Sequence, residues 1–167
     1  MRRRYLLSLI ILLFTILLLV YLWFAVLRFT PEHLRGKPLP PLVFRDTEGR
    51  ERRLSEWEQE PAFFVVFVRR GSPPSRALRA FLEQNPPRIP VVVLYVERAL
   101  AAQPQNLPRW SGDFVVGVPI PLTQLRAYEV VIVPTLLLVE RGLVTEVWQG
   151  WRQPMRALIL RFVERGE

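Results

Sequence analysis

The sequence predicts an α/β domain, a mixed central sheet flanked by helices, preceded by one N-terminal transmembrane helix. Three observations carry that expectation. Tyr5 to Leu27 is a run without a charged side chain. Ala62 to Val68 and Ile89 to Val96 are dominated by apolar, β-branched and aromatic residues, the mark of strands buried on both faces. Amphipathic helical patterns alternate with them, and a hairpin and a last helix close the chain, which implies helices on both faces of a mixed sheet. The expected organisation is an anchor over 1–29, a linker over 30–41 and one domain over 42–167.

The apolar run holds 23 residues, and a helix of that length spans roughly 34 Å, enough for a hydrocarbon core of about 30 Å. Tyr5 at one end and Tyr21, Trp23 and Phe24 near the other stand where interfacial aromatics sit. A cleaved signal peptide would have a shorter apolar region followed by small residues. Here Arg28, Phe29, Thr30 and Pro31 follow instead, so a retained anchor in membrane lipid is the expectation. Arg2, Arg3 and Arg4 precede the span, while Arg28, Arg35 and Lys37 are spread beyond it and diluted by Glu32. That bias puts the N-terminus in the cytoplasm and the domain on the extracytoplasmic, periplasmic side.

Along the domain, Thr30 to Pro41 is punctuated by prolines and reads as a linker that lifts it off the bilayer. Leu42-Val43-Phe44 is a short strand, and Thr47-Glu48-Gly49-Arg50 a turn leading to Arg53-Leu54. Ser55 and Glu58 have capping-box spacing for a short helix through Trp57, which Pro61 stops. After the first buried strand, Ser72-Pro73-Pro74-Ser75 opens a helix, with serine at the N-cap and proline in the first position, where an amide has no partner anyway. Leu78, Phe81 and Leu82 form its inner face, and Asn85-Pro86-Pro87 ends it. The second buried strand is followed by a turn of helix over Glu97 to Ala102 and a loop over Gln103 to Gly112. Next come a strand over Phe114 to Val118 and a short helix over Leu122 to Tyr128. Leu136 to Val139 and Leu143 to Trp148 flank Glu140-Arg141-Gly142 as a hairpin. Pro154 begins a helix with Leu158, Ile159, Phe162 and Val163 inward.

Composition removes much chemistry. There is no cysteine, which excludes disulfides, thiol catalysis and cysteine-ligated metals, and His33 is the only histidine. Neither a metal site nor a cofactor is expected. Asp46, Glu48, Glu51 and Asp113 lack calcium-loop spacing and read as solvated acids. Gly112 and Gly117 are too far apart for a phosphate loop. The net charge is +8, but without Arg2, Arg3, Arg4 and Arg28 the rest carries 19 basic against 15 acidic side chains. No basic run in it exceeds two residues, so nucleic-acid binding is not expected. Ser72 and Ser75 as hydrolytic nucleophiles would need a base, and His33 falls in the linker. Capping hydroxyls are the expected role.

The order of elements, with two local motifs, resembles the thioredoxin fold, and within it the membrane-anchored TlpA/ResA-like thiol–disulfide oxidoreductases. The first motif is the junction Phe67-Val68-Arg69-Arg70-Gly71-Ser72-Pro73-Pro74-Ser75-Arg76, where the family carries Cys-Pro-Pro-Cys. The second is Val133-Pro134-Thr135 before a buried strand, which looks like the family's cis-proline loop, with Thr135 beside it as a binding position. Phe44 to Gly49 with Leu54-Ser55 resembles the N-terminal hairpin, and Gly142 and Gly150 fall where the closing hairpin holds glycine. The resemblance covers about residues 36–165.

Ser72 and Ser75 stand where the resemblance places both redox cysteines. A helix N-terminus can lower a thiol's pKa from about 8.5 so that a thiolate forms, but a serine hydroxyl has no comparable acidity and forms no disulfide. Two origins compete: a degenerate member of the family, or an oxidoreductase of cytochrome maturation whose cysteines were replaced by serine. Gly71, where the family has tryptophan, and Arg69-Arg70 also depart from the pattern, and a two-site replacement would not change those. The expectation is therefore a binding, accessory or assembly subunit of a membrane complex, respiratory or cytochrome-related as the resemblance implies. Arg69, Arg70, Arg76 and Arg79 gather around the helix start. They read either as an anion-holding group or as a solvated patch.

The orientation has a direct test. A reporter that matures only outside the cytoplasm, fused after Glu167, is expected to be active; activity of a cytoplasmic reporter at the same site would reverse the topology.

Overall fold

A computed structural model describes residues 12–21, 31–101 and 103–164, in two compact units divided at Thr30 and Pro31. In the first unit, residues 12–21 are helical with exposed apolar side chains such as Leu12 and Phe14. Among the described residues no helix is long and apolar enough to cross a membrane, and the rest of the expected span, Tyr5–Leu27, lies outside them. Arg2, Arg3, Arg4 and Arg28 lie outside them too.

The second unit is built on one seven-stranded mixed sheet. Its strands are β1 (Val43–Asp46), β2 (Glu51–Arg53), β3 (Ala62–Val68), β4 (Val91–Tyr95), β5 (Phe114–Pro119), β6 (Thr135–Glu140) and β7 (Leu143–Gln149). They lie in the order β2-β1-β5-β4-β3-β6-β7. The centre is parallel, β3 beside β4 beside β5, and antiparallel hairpins flank it on both sides. Among the described residues three α-helices accompany the sheet: α1 (Pro73–Gln84), α2 (Arg98–Ala101) and α3 (Gln153–Glu164).

All seven residues of β3 are buried. Because side chains alternate along a strand, Phe64, Val66 and Val68 enter one core and Phe63, Val65 and Phe67 the other. The first core is closed by Leu78 and Leu82 of α1, Leu100 of α2, and Met155, Leu158 and Ile159 of α3. The second face carries the short helices expected there, but as 3-10 and not α-helical turns. Its cover is made of short 3-10 segments, Leu54–Trp57 and Leu122–Tyr128, and of the chain from Leu34 to Leu42. Leu122–Tyr128 follows Pro121, which has no amide to extend a helix backwards, and ends at Glu129, whose φ of 45 leaves the right-handed region.

The expected linker is the largest correction. From Leu34 on, the chain belongs to the domain. Leu34 and Leu39 are 3% and 6% exposed and pack in the second core with Val144 and Val147. The Gly36 and Leu39 amides donate to the Val144 and Gly142 carbonyls at 2.7 and 3.1 Å, and the Val144 amide donates to the Lys37 carbonyl at 2.9 Å. Residues 36–39 thus run along the free edge of β7. Two leucines five apart among prolines match neither helical nor strand periodicity, so the pattern hid them. His33, expected in that linker, pairs through Nδ1 with Glu129 at 3.2 Å.

Two polar or small residues also have structural duties. Asp46 is buried, not solvated. Its carboxylate accepts the Glu48 and Arg50 amides at 2.9 Å each and the Arg50 guanidinium at 3.1 Å, which fixes the β1–β2 turn. Burial pushes its pKa up, but the Arg50 and Glu48 amides and the Arg50 side chain outweigh that and hold it below the usual carboxylate range. Gly117 sits where β5 crosses β1: a Cβ there would meet Phe44 Cδ2 at 2.3 Å and the Arg45 carbonyl at 2.8 Å. Ser55 and Glu58 do not form the expected capping box either. The Glu56 carboxylate accepts the Arg53 amide at 2.7 Å in that role, two residues earlier.

If 34–41 is core, Leu39→Ala should cost about 2–5 kcal/mol, the range for truncating a buried leucine. Urea denaturation of the full chain measures it. A loss within about 0.5 kcal/mol would return the segment to the status of a linker.

Candidate functional site

The two motifs meet at one end of the sheet because β3 and β6 are antiparallel. Thr135, the first residue of β6, is paired with Phe67, the last residue but one of β3. The Val133-Pro134 loop therefore enters the sheet where Arg69 and Arg70 leave it. The Val133–Pro134 peptide is cis, as is Ile120–Pro121.

Beyond Val68 the chain turns through Arg69-Arg70-Gly71 into α1. Ser72 caps the helix, its hydroxyl accepting the Ser75 amide at 3.4 Å. Ser75 is buried at 4% exposure, and its own hydroxyl accepts the Arg69 amide at 3.3 Å. The Arg76 amide donates to the Ser72 carbonyl at 3.0 Å. Pro73 and Pro74 have no amide to offer. Of the donors that a helix start normally leaves open, none of the first four positions keeps one free.

Beside this capped start lies an open cleft of about 270 Å³. Arg69, Arg70, Arg76 and Arg79 line it with Ser75, Tyr95 and Trp110. The four arginines expected together are thus brought together, but they are not equivalent. Arg79 is committed, to the Glu83 carboxylate at 3.0 Å, to the Arg109 carbonyl and to the face of the Trp110 ring at 5.6 Å. Arg69, Arg70 and Arg76 are exposed, and their guanidinium groups make no ion pair among the described residues. The loop that carries Arg69 and Arg70 is held in place by the Arg70 amide, which donates to the Glu97 carboxylate at 2.7 Å.

Tyr95 and Trp110 are site residues that the sequence reading missed. Tyr95 ends β4 and pairs with Val68, so it arrives at the cleft through the parallel register. Its hydroxyl accepts the Trp110 indole N–H at 3.2 Å. Burial pushes the phenol up, so it stays protonated. Trp110 comes from the Gln103–Gly112 loop, whose sequence gives no periodicity from which to place it.

The proline motif lies differently from the arginines. Thr135, expected as a binding residue, is fully buried and its hydroxyl donates to the Ile132 carbonyl. The Pro134 carbonyl accepts the Gly150 amide at 2.8 Å. Neither residue lines the arginine cleft. What this loop exposes is apolar: Val131 and Ile132 are 61% and 42% exposed. His33, the base that hydrolysis by Ser72 or Ser75 would call on, is paired with Glu129 and does not line the cleft. Among the described residues no group of histidine, aspartate and glutamate could hold a metal.

No protein-family model matches the chain, and no curated protein matches it by sequence. Solved structures do match. A candidate thiol:disulfide interchange protein DsbE from Chlorobium tepidum superposes with a TM-score of 0.60 at 18% identity, over 77% of this chain and 94% of that one. The fold is thioredoxin-like. The exposed lipoprotein thioredoxin of Streptococcus pneumoniae gives a TM-score of 0.58 at 14% identity, over 75% and 99% of the two chains. A thiol:disulfide interchange protein from a Bacteroides species gives 0.56 at 14%, over 80% and 92%. At these identities the likeness concerns the fold.

The capping role of Ser72 is measurable. Ser72→Ala should lower stability by about 1 kcal/mol, while Ser72→Asp, which keeps an acceptor for the Ser75 amide, should hold it. Thermal denaturation of both variants separates this from a hydroxyl with no structural use, for which Ser72→Ala would be silent.

Proposed function

We propose that this chain is a membrane-anchored, extracytoplasmic protein of thioredoxin-like fold that binds a partner and does not exchange disulfides. It acts as an accessory or assembly subunit of a membrane complex, respiratory or cytochrome-related. The observation that supports this most is Ser72 and Ser75 at the head of α1 in a chain without cysteine. The proteins it resembles in fold include ones named for thiol:disulfide interchange. That reaction passes through a thiolate and a mixed disulfide, neither of which serine can supply. A protein freed from turning over transient substrates can keep its old reactive end as a docking face. Arg69 and Arg70, exposed there and unpaired, favour that use, because arginine forks pair with carboxylates while their stems cover apolar surface. The uncharged run Tyr5–Leu27 fits the same reading, since an anchor there would confine the domain to the membrane plane and raise the effective concentration of a membrane-embedded partner.

Two readouts on one preparation test the reading. The purified chain should reduce insulin disulfides no faster than background at any pH, and measurable turnover would sink it. Arg69→Glu with Arg70→Glu should leave the fold within about 0.5 kcal/mol, as surface charge changes do. The pair should nevertheless weaken recovery of the chain with its complex from solubilised membranes. Full recovery would mean that this face is not where the partner docks.

A further inference from the structure

We infer that the cleft at the head of α1 receives acidic side chains of a partner protein, paired by the guanidinium groups of Arg69, Arg70 and Arg76. The inference rests on the docking reading above and names what docks.

Unused charge is the first observation. Arg35, Arg45, Arg50, Arg52 and Arg79 each lie against a carboxylate. Among the described residues Arg69, Arg70 and Arg76 do not; others such as Arg88 and Arg126 lack an ion pair too, but these three border one concavity. Glu97, the acid nearest to them in the hydrogen-bond pattern, is turned to the Arg70 backbone amide and fixes the loop. Convergent like charges cost free energy, and an anion in the cleft relieves it.

The type of anion follows from what the helix lacks. Phosphate at a helix start is normally cradled by free backbone N–H groups. Here two prolines and the Ser72 cap leave none, so recognition falls to side-chain forks, which pair bidentately with carboxylate as well as phosphate and leave phosphate without its backbone cradle. Tyr95 adds a donor. Its oxygen already accepts from Trp110, and its own O–H proton is left to give to an acid. Size agrees as well: about 270 Å³ lies just under the range of small-molecule pockets and holds one or two acidic side chains. A lipid phosphate is a poorer fit for the same reason as free phosphate, since this helix start offers no open backbone N–H.

The test uses the full chain in neutral detergent. Its probes are a fluorescein-labelled peptide of repeated glutamate and glycine, the same peptide with glutamine for glutamate, inorganic phosphate, and phosphatidylglycerol vesicles. The glutamate peptide should bind saturably and more weakly as salt rises. Arg69→Gln with Arg76→Gln should weaken it at least about ten-fold, while Arg88→Gln, outside the cleft, should not. The inference is overturned if the glutamine peptide binds equally, if the double variant binds as the parent does, or if phosphate or vesicles engage these arginines ahead of the peptide. Failure here is distinct from failure of the docking reading. Peptide binding can be absent while recovery of the complex still depends on Arg69 and Arg70, which removes the acidic occupant and leaves the docking face in place.

Discussion

Both cores hang from seven consecutive residues without a polar side chain. Ala62–Val68 lies between β4 and β6, and its two faces supply alternate side chains to the two hydrophobic clusters. Burying one large apolar side chain is worth about 1.5–3 kcal/mol, so this strand carries a large share of the hydrophobic stabilisation. The site depends on it as well. The direction in which β3 ends decides where Arg69 emerges, and its partner registers bring Tyr95 and Thr135 to that same end. A slip of one residue would exchange the two faces and scatter the cleft.

The parts of the fold legible in the sequence are those with a strong period or a covalent peculiarity. The two buried strands, the capped start of α1 at Ser72-Pro73, and the hairpin turn at Arg141-Gly142, whose φ angles of 52 and 77 are both positive, are of this kind. What escaped depends on contacts distant along the chain. Leu34 and Leu39 are buried only because β7 offers them an edge. Gly117 is small because Phe44 and Arg45 cross it, and Asp46 is buried because the turn folds over it. None of those relations leaves a periodic trace in the local sequence.

The candidate site was legible to a similar degree and for similar reasons. Arg69, Arg70, Arg76 and Arg79 lie within one short stretch, so their convergence could be read from the junction alone. That Arg79 is spent on Glu83 and Trp110 could not, because Trp110 arrives from a loop about thirty residues on. Thr135 shows the opposite error. Beside the proline it looked available, but the first position of an interior strand turns it inward and gives its hydroxyl to Ile132.

The strip at residues 36–39 has a consequence for how this domain can meet other chains. Open strand edges are the usual template for one protein to extend another's sheet. At one end the start of that template, Gly142 to Val144, is taken by the chain itself, with Pro38 at the bridge to Leu143. At the other, β2 is three residues long, and all three, Glu51, Arg52 and Arg53, are charged. Backbone addition is thus hindered at the start of β7 and along β2. Copies crowded together meet an obstacle there to joining into a continuous ribbon, which shifts the weight of any assembly onto side chains.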